Sequence, residues 1–360
     1  MKLIKLPHKV CPMTCMVNGL EDLYEAKTGT RLPDQFLLFM SGMAGFTYLK
    51  LSKAPVQRFV LWGPRPTAQY DVLGEAVGFT WTTCEGRGFA YALKQAQTFI
   101  DQGTPVILGA LDMYHLPYYP KLYHTIHVPI HFVLMVGYDE ERRVVLVQDC
   151  DRPDVQEVPC TDLQLAWDVR TPGYSERNTL FAFRFNGEVA DVLTIAERAL
   201  RRKAEFMLRP PTSMFGIPGI RKLARELPAW PDQLAPEALR TSLYTLAEYT
   251  GHPPTLPNRL TGYTDAPDRH DAGRGGLADV LIQLAQSYQR PAWAEAANLF
   301  RQSGQVVRDF TDAIVDHLLG EDRTLAQAAT LVDEIADLEA QAYQLVAVGI
   351  EMSVSQASMT

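Results

Sequence analysis

The segment Val128-Pro-Ile-His131-Phe-Val-Leu-Met-Val-Gly-Tyr138-Asp-Glu-Glu-Arg-Arg-Val-Val-Leu-Val-Gln-Asp149 constrains the fold more than any other stretch of this chain. Two apolar runs, 131–138 and 143–148, flank the charged turn Asp139-Glu-Glu-Arg142, which reads as a β-hairpin. Centred near residue 140, such a hairpin folds the start of its first strand onto the end of its second and sets His131 opposite Asp149. A carboxylate at that spacing orients and polarises an imidazole. The apolar strand Phe132-Val-Leu-Met-Val136 supplies no structural reason for a histidine at its head. Upstream, Cys15 heads an amphipathic stretch and would complete a Cys–His–Asp set, the residue types of thiol-based acyl chemistry.

With 360 residues and 47% hydrophobic content, the chain has enough apolar mass for two ordinary cores. A net charge of −8 and a sequence pI near 5.5 argue against a nucleic-acid footprint. Met1-Lys-Leu-Ile-Lys-Leu-Pro-His8 lacks the apolar core of a signal peptide. No run approaches the roughly 18 apolar residues of a membrane span. The expectation is a cytoplasmic protein that binds neither nucleic acid nor membrane. Its five cysteines have no disulfide or zinc spacing, which predicts free thiols and no metal or other cofactor.

The first half reads as α+β: a helix after Cys15, carrying Met16, Leu20, Leu23 and Tyr24 at helical spacing, then mostly strands. Strand patterns occupy 46–51, 58–62, 105–111 and 180–185, and helical periodicity runs from Gly88 to Gln102. After Gly187 the pattern turns helical, with segments at 217–227, 236–250, 276–288, 292–303, 305–319 and 324–347. Prolines and glycines punctuate them at 253–257 and 272–276. The expected organisation is a catalytic domain over 1–186 with an antiparallel sheet, then an all-α domain over 187–360 that covers or shapes the cleft.

A thiol at a helix N-terminus, next to an imidazole, is favoured as thiolate. Cys15 is expected in the first turn behind Pro12 and Thr14, with His131 as base and Asp149 holding the tautomer. Each residue also has a structural reading: a buried small cysteine, a core histidine satisfied by a carbonyl, an aspartate starting the turn Asp149-Cys-Asp-Arg-Pro153. Cys11 competes as nucleophile if Pro12 is the first helical residue. His127 and Asp151 compete with His131 and Asp149. Cys84, Cys150 and Cys160 read as structural. The aromatic loop Tyr114-His-Leu-Pro-Tyr-Tyr-Pro120 offers Tyr114, His115 and Tyr118 as substrate contacts, with His124 at its far flank.

Four stretches resemble the butirosin-biosynthesis protein H type of acyltransferase: Cys15-Met-Val-Asn-Gly-Leu-Glu-Asp-Leu-Tyr-Glu25, Ser41-Gly-Met-Ala-Gly-Phe-Thr-Tyr48, Asp112-Met-Tyr-His-Leu-Pro-Tyr118 and His131-Phe-Val-Leu-Met-Val-Gly-Tyr-Asp139. Pro211-Thr-Ser-Met-Phe-Gly-Ile-Pro-Gly219 and the stretch 275–310 resemble the helical domain that accompanies that family. The resemblance implies a papain-like fold and transfer of an acyl group from a phosphopantetheine thioester on an acyl carrier protein to Cys15, then to an amine. It carries the nucleophile to Cys15, the base to His131 and the orienting acid to Asp149. No glutamine precedes Cys15 to serve as oxyanion donor, so His8, Lys9, Thr14 and the amides at the helix start are left as candidates. Gly42 and Gly45 are candidates for an acyl channel or for close backbone approach.

A thiol hydrolase, peptidase or thioesterase, would use the same three residues, and a non-catalytic binding protein could keep the fold. The basic run Arg198, Arg201, Arg202, Lys203 and Arg209 reads either as a docking patch for an acidic carrier or as a solvated helix face. Whether the chain is a monomer or a homodimer is open.

Overall fold

Apolar runs that are buried on both faces become central strands, and three such runs lie side by side here. The computed structural model describes residues 1–12, 14–43, 45–62, 66–171, 175–185, 187–250, 271–321 and 324–357. Their contacts form two units: Met1–Ser41 with Arg65–Ile195, and Gly42–Pro64 with Ala196–Thr360. The first unit holds strands β1 (Lys2–Leu3), β4 (Thr80–Cys84), β5 (Val106–Leu111), β6 (His131–Asp139), β7 (Val144–Asp149), β8 (Arg152–Pro159) and β9 (Leu180–Arg184). They build one antiparallel sheet in the order β4-β9-β5-β6-β7-β8, with β1 pairing β6 beyond the end of β5. Every residue of β5 and β7 is buried.

Helices cover both faces. On one, α4 (Phe89–Asp101) and α5 (Cys160–Trp167) bury Ala92, Ala96, Ile100, Leu163 and Trp167 against Val106, Leu108, Val133, Met135, Val145 and Val147. Burial of each large side chain contributes roughly 1.5–3 kcal/mol. On the other, α1 (Cys15–Thr28) lies so close to β6 that a Cβ at Gly19 would fall 2.8 Å from Leu134 Cβ. A glycine there lets the Cys15 helix seat directly on the strand that carries His131. The short α2 (Phe36–Met40) and α3 (Pro66–Val77) complete this unit.

The second unit contains the hairpin β2 (Thr47–Lys50) and β3 (Arg58–Leu61) together with α6 (Val192–Leu208), α7 (Gly216–Glu226), α8 (Trp230–Gln233), α9 (Pro236–Thr250), α10 (Arg274–Tyr288), α11 (Pro291–Leu319) and α12 (Leu325–Ala357). The hairpin was expected within 1–186 but packs with the helices of the later region. Tyr48 Oη donates to Glu226 Oε2 at 2.8 Å, Trp230 Nε1 donates to Tyr48 Oη at 3.3 Å, and the Arg58 amide donates to Ser242 Oγ at 3.2 Å. Two helices expected at 292–303 and 305–319 are one continuous α11. Gly304 does not break it; the glycine faces Asp271 and Arg274, where a Cβ would lie 3.0–3.1 Å from their side chains. The expected breaks at 253–257 lie outside the described residues. Both units together make the α+β class expected. Among the described residues no helix is long and apolar enough to cross a membrane.

Candidate active site

His131 opens β6 and is 6% exposed, while Asp149 closes β7 at 1%. Their side chains meet, His131 Nε2 lying 2.8 Å from Asp149 Oδ2. They are not opposite neighbours. The ladder pairs Leu134 with Gln148 and Met135 with Val147, and it slips by one before pairing Gly137 with Leu146. The last rung is Leu134–Gln148, and on the β8 side a second slip lies between Val147 and Asp149, so the two side chains meet beyond the end of the paired ladder.

Two tyrosines from the aromatic loop close over the pair. Tyr118 Oη donates to Asp149 Oδ2 at 2.7 Å. Tyr119 Oη donates to Asp151 Oδ1 at 2.6 Å and lies 3.3 Å from His131 Nε2. Burial pulls the His131 pKa down, but the Asp149 charge and hydrogen bond, with a hydrogen bond from Cys15, outweigh it and raise it to about 10. Burial pushes Asp149 up, and His131 with both tyrosines overcomes it, holding this carboxyl below its usual range. Burial first, and then the Asp149 charge, push both tyrosine hydroxyls well above their ordinary range.

Cys15 is the first residue of α1, half-buried, with Thr14 at the cap position and no acidic residue in the first turn. Cys15 is among the groups that raise the His131 pKa, which sets its thiol near the ring. Nε2 is engaged by Asp149 and Tyr119. Cys11 is 4% exposed, and burial pushes its thiol up. The helix begins after Thr14 rather than at Pro12, because the Cys11 amide is tied to the Cys150 carbonyl at 2.7 Å and Thr14 Oγ1 donates to the Cys11 carbonyl at 2.5 Å. Cys11 is therefore neither a cap nor a helix residue.

Residues 14–150 match the family model for butirosin biosynthesis protein H, N-terminal. This amino-terminal domain belongs to that family. Residues 161–251 match a second model, a domain of unknown function (DUF4872). No curated protein matches the chain. Within the butirosin-biosynthesis-protein-H-type domain lie Cys15, Tyr118, Tyr119, His131 and Asp149; His8 and Asp151 fall outside the matched residues.

The side chains considered as oxyanion donors are committed elsewhere. His8 Nδ1 lies 2.6 Å from Asp22 Oδ2, and its Nε2 faces the carbonyls of Asp149 at 3.1 Å and Arg152 at 2.9 Å. Lys9 Nζ donates to the Leu32 and Pro33 carbonyls at 2.9 and 3.1 Å and pairs with Asp34 and Glu21. Thr14 spends its proton on Cys11. The amides of Val17 and Asn18 both take the Thr14 carbonyl. The Cys15 and Met16 amides, first of the helix, have no intrahelical acceptor by geometry.

The other candidates resolve by their partners. His127 Nδ1 pairs with Asp112 Oδ2 at 2.6 Å rather than with Asp151, so the alternative dyad does not form. Tyr118 holds Asp149 instead of facing outward. Tyr114 stacks on His127 with centroids 4.0 Å apart and lies 4.9 Å from His115, whose pKa burial lowers. Gly42 has φ 105° and its carbonyl accepts from the Gly45 amide at 3.2 Å, which makes a turn before β2 in the second unit. Lys203 leaves the basic run: it is 6% exposed and donates to the Met43 carbonyl. Ligand atoms of Asp149, Cys150 and Asp151 lie within 4.8 Å of one another. One oxygen of each carboxylate already accepts from a tyrosine, and burial pushes the Cys150 thiol far up, a donor set poorly suited to a cation. Reading the sequence missed Tyr119, the role of Asp151 as its acceptor, the His8–Asp22 pair and buried Glu21.

Proposed function

We propose that this chain is a biosynthetic acyltransferase that carries an acyl or aminoacyl group on Cys15 and delivers it to an amine. What carries the reading is the single Nε2–Oδ2 contact between His131 and Asp149, with the same imidazole coupled to the Cys15 thiol at the head of α1. The Cys15 sulfur attacks the thioester carbonyl, its proton passes to His131, and the pantetheine sulfur leaves as a thiol by taking that proton back. An amine then attacks the Cys15 thioester, loses a proton to His131 and forms the amide as the Cys15 thiol is restored. The Cys15 and Met16 amides are the donors proposed for the oxyanion. A nucleophile on a helix against an antiparallel sheet, with its base on a strand, supports a papain-like arrangement. The similarity to a butirosin-biosynthesis family supports an antibiotic-type pathway.

The acyl donor proposed is a carrier protein bearing a phosphopantetheine thioester. Arg198, Arg201, Arg202 and Arg209 stand at exposed positions of α6 and the residue after it, where an acidic carrier would find them. Intact-mass spectrometry of the full chain mixed with acyl-carrier or small acyl thioesters tests the whole reading. A mass gain lost in Cys15→Ala, kept in Cys11→Ala and discharged faster by amines than by water is expected. Discharge by water alone would make the protein a thiol hydrolase, and adduct loss confined to Cys11→Ala would move the nucleophile.

A further inference from the structure

Each phenol owns one proton, and the shortest oxygen contact of each names its main acceptor. Tyr118 gives its proton to Asp149 Oδ2 at 2.7 Å, and Tyr119 gives its proton to Asp151 Oδ1 at 2.6 Å. A hydroxyl that has spent its proton meets a third group only as acceptor. The Tyr119 oxygen, 3.3 Å from His131 Nε2, therefore receives the Nε2–H that Asp149 Oδ2 also receives at 2.8 Å. With that hydrogen held from two sides, Nε2 keeps its proton in the imidazolium and in the neutral ring alike, and Nδ1 is the atom that titrates.

We infer that Tyr119 and Asp151 form a second carboxylate arm on His131, positioning residues that hold the Nε2–H tautomer alongside Asp149. The inference rests on His131 being the base of Cys15. Arg152 braces the arm: its guanidinium carbon sits 4.4 Å over the Tyr119 ring, Nη1 lies 3.5 Å from Asp151 Oδ2, and Nη2 donates to the Tyr118 carbonyl at 3.1 Å. The charged and titratable groups around the ring are thus Asp149, Tyr118, Tyr119 and Cys15, with Asp151, Arg152 and Cys150 behind them. Asp151 lies one residue past the matched family segment, so the family assignment does not reach it.

The test reads Cys15 reactivity rather than acyl transfer. Iodoacetamide alkylation of Cys15 is followed by peptide mass from about pH 5 to pH 10 in the full chain, in Tyr119→Phe, Asp151→Ala, Asp151→Asn and the Tyr119→Phe/Asp151→Ala double variant. Nitrogen-15 shifts of His131 report which ring atom is protonated. Tyr119→Phe is expected to lower the rate at neutral pH about three- to tenfold, as loss of up to one pKa unit of imidazolium stabilisation requires. Asp151→Ala frees the Tyr119 proton to donate back to Nε2; it is expected to lower the rate further and raise the Nδ1–H signal. In the double variant that extra loss disappears, because the phenol proton is gone. Asp151→Asn, whose amide oxygen still accepts that proton, is expected to stay near the wild-type rate. Single variants that superimpose on wild type, or losses that simply add, would overturn the arm. A wild-type profile resembling a free thiol near pKa 8.5 would instead remove the acyltransfer reading.

Discussion

His131 at the head of β6 and Asp149 at the end of β7 meet through a 2.8 Å contact between Nε2 and Oδ2. The turn end of the β6–β7 ladder pairs Asp139 with Val144, and the register slips by one between Met135 and Gly137 before Leu134 pairs with Gln148.

Asp149→Asn tests that pair, because it keeps the shape and removes the charge. Formation of the acyl-enzyme is expected to slow on the order of 10²–10⁴-fold. Stability should show the linkage from both sides. The Asp149 pKa is lowered by folding, so its contribution is present above about 3.9 and is lost as pH falls through the lower folded value. The His131 pKa is raised to about 10, so its contribution is full below about 6.5 and is lost as pH rises through 10. The gap between wild type and variant in urea unfolding should therefore be widest between about pH 4 and pH 6.5. A gap that stays constant up to pH 10 would show that no imidazolium–carboxylate pair forms.

His8→Ala tests the clamp between the helix of Cys15 and the end of the strand of Asp149. Asp22 on α1 holds one His8 nitrogen and the carbonyls of Asp149 and Arg152 hold the other, which places protons on both. Burial opposes the cation, yet Asp22 and the two carbonyls raise the His8 pKa. Burial also keeps Asp22 above the usual carboxylate range with His8 beside it, so the pair holds its charge at a cost. A raised histidine pKa stabilises below about 6.5, and the effect is lost as pH rises through the folded value. His8→Ala should cost about 1.5–3 kcal/mol at pH 6 and less at pH 9, measured by chemical denaturation. Cys15 alkylation should slow in parallel, since the helix loses its tie to the β7–β8 turn.

What the sequence disclosed follows from where periodicity exists. β5, β6 and β7 are buried on both faces and read as apolar runs. The edge strands β4 and β8 did not: Thr80-Trp-Thr-Thr-Cys84 and Arg152-Pro-Asp-Val-Gln-Glu-Val-Pro159 are largely exposed and have no apolar face to repeat. His131 with Asp149 was legible because a hairpin is local. The ladder closes on the Asp139–Val144 pair rather than being centred near residue 140, and its bulge has no signature in the sequence. The destinations of the Tyr118 and Tyr119 protons depend on chain folding far beyond the loop, so the loop suggested only substrate contact. Glu21 and Asp22 carry no sequence signal of burial, yet both are buried, partnered by Lys9 and His8 from the segment before the helix.

Glu21→Gln should stabilise the protein above neutrality. Burial pushes the Glu21 carboxyl up to about 7, against the Lys9 charge and the Leu37 amide, which donates to its Oε1 at 3.1 Å. An acid whose pKa folding raises contributes stability that is full below about 4.3 and is lost as pH rises through 7. The wild type should therefore lose up to about 1.4 kcal/mol per pH unit across that window from this group, and the variant should not. The glutamine oxygen still accepts from Leu37. Thermal melts at pH 5 and pH 8 decide it: the variant is expected to melt higher than wild type only at pH 8.

In the helical unit, Glu339→Ala should be among the most damaging single changes. Glu339 and Arg274 have fully buried side chains, with Arg274 Nε 2.8 Å from Glu339 Oε1. Ser303 Oγ donates to the same oxygen at 2.9 Å, Arg274 Nη1 donates to the Ala272 carbonyl at 2.9 Å, and the guanidinium carbon lies 4.3 Å over the Trp62 ring. Removing the carboxylate leaves the arginine charge buried and uncompensated, which costs about 3–5 kcal/mol. It also removes the group that props up Lys203, whose pKa burial and Arg274 already lower to about 7. Replacing both partners, Arg274→Met with Glu339→Leu, deletes the charge along with its counter-charge and should cost less than Glu339→Ala alone. Denaturation of the two single variants and the double variant at one pH measures the coupling, and strictly additive losses would show that the pair contributes nothing as a pair.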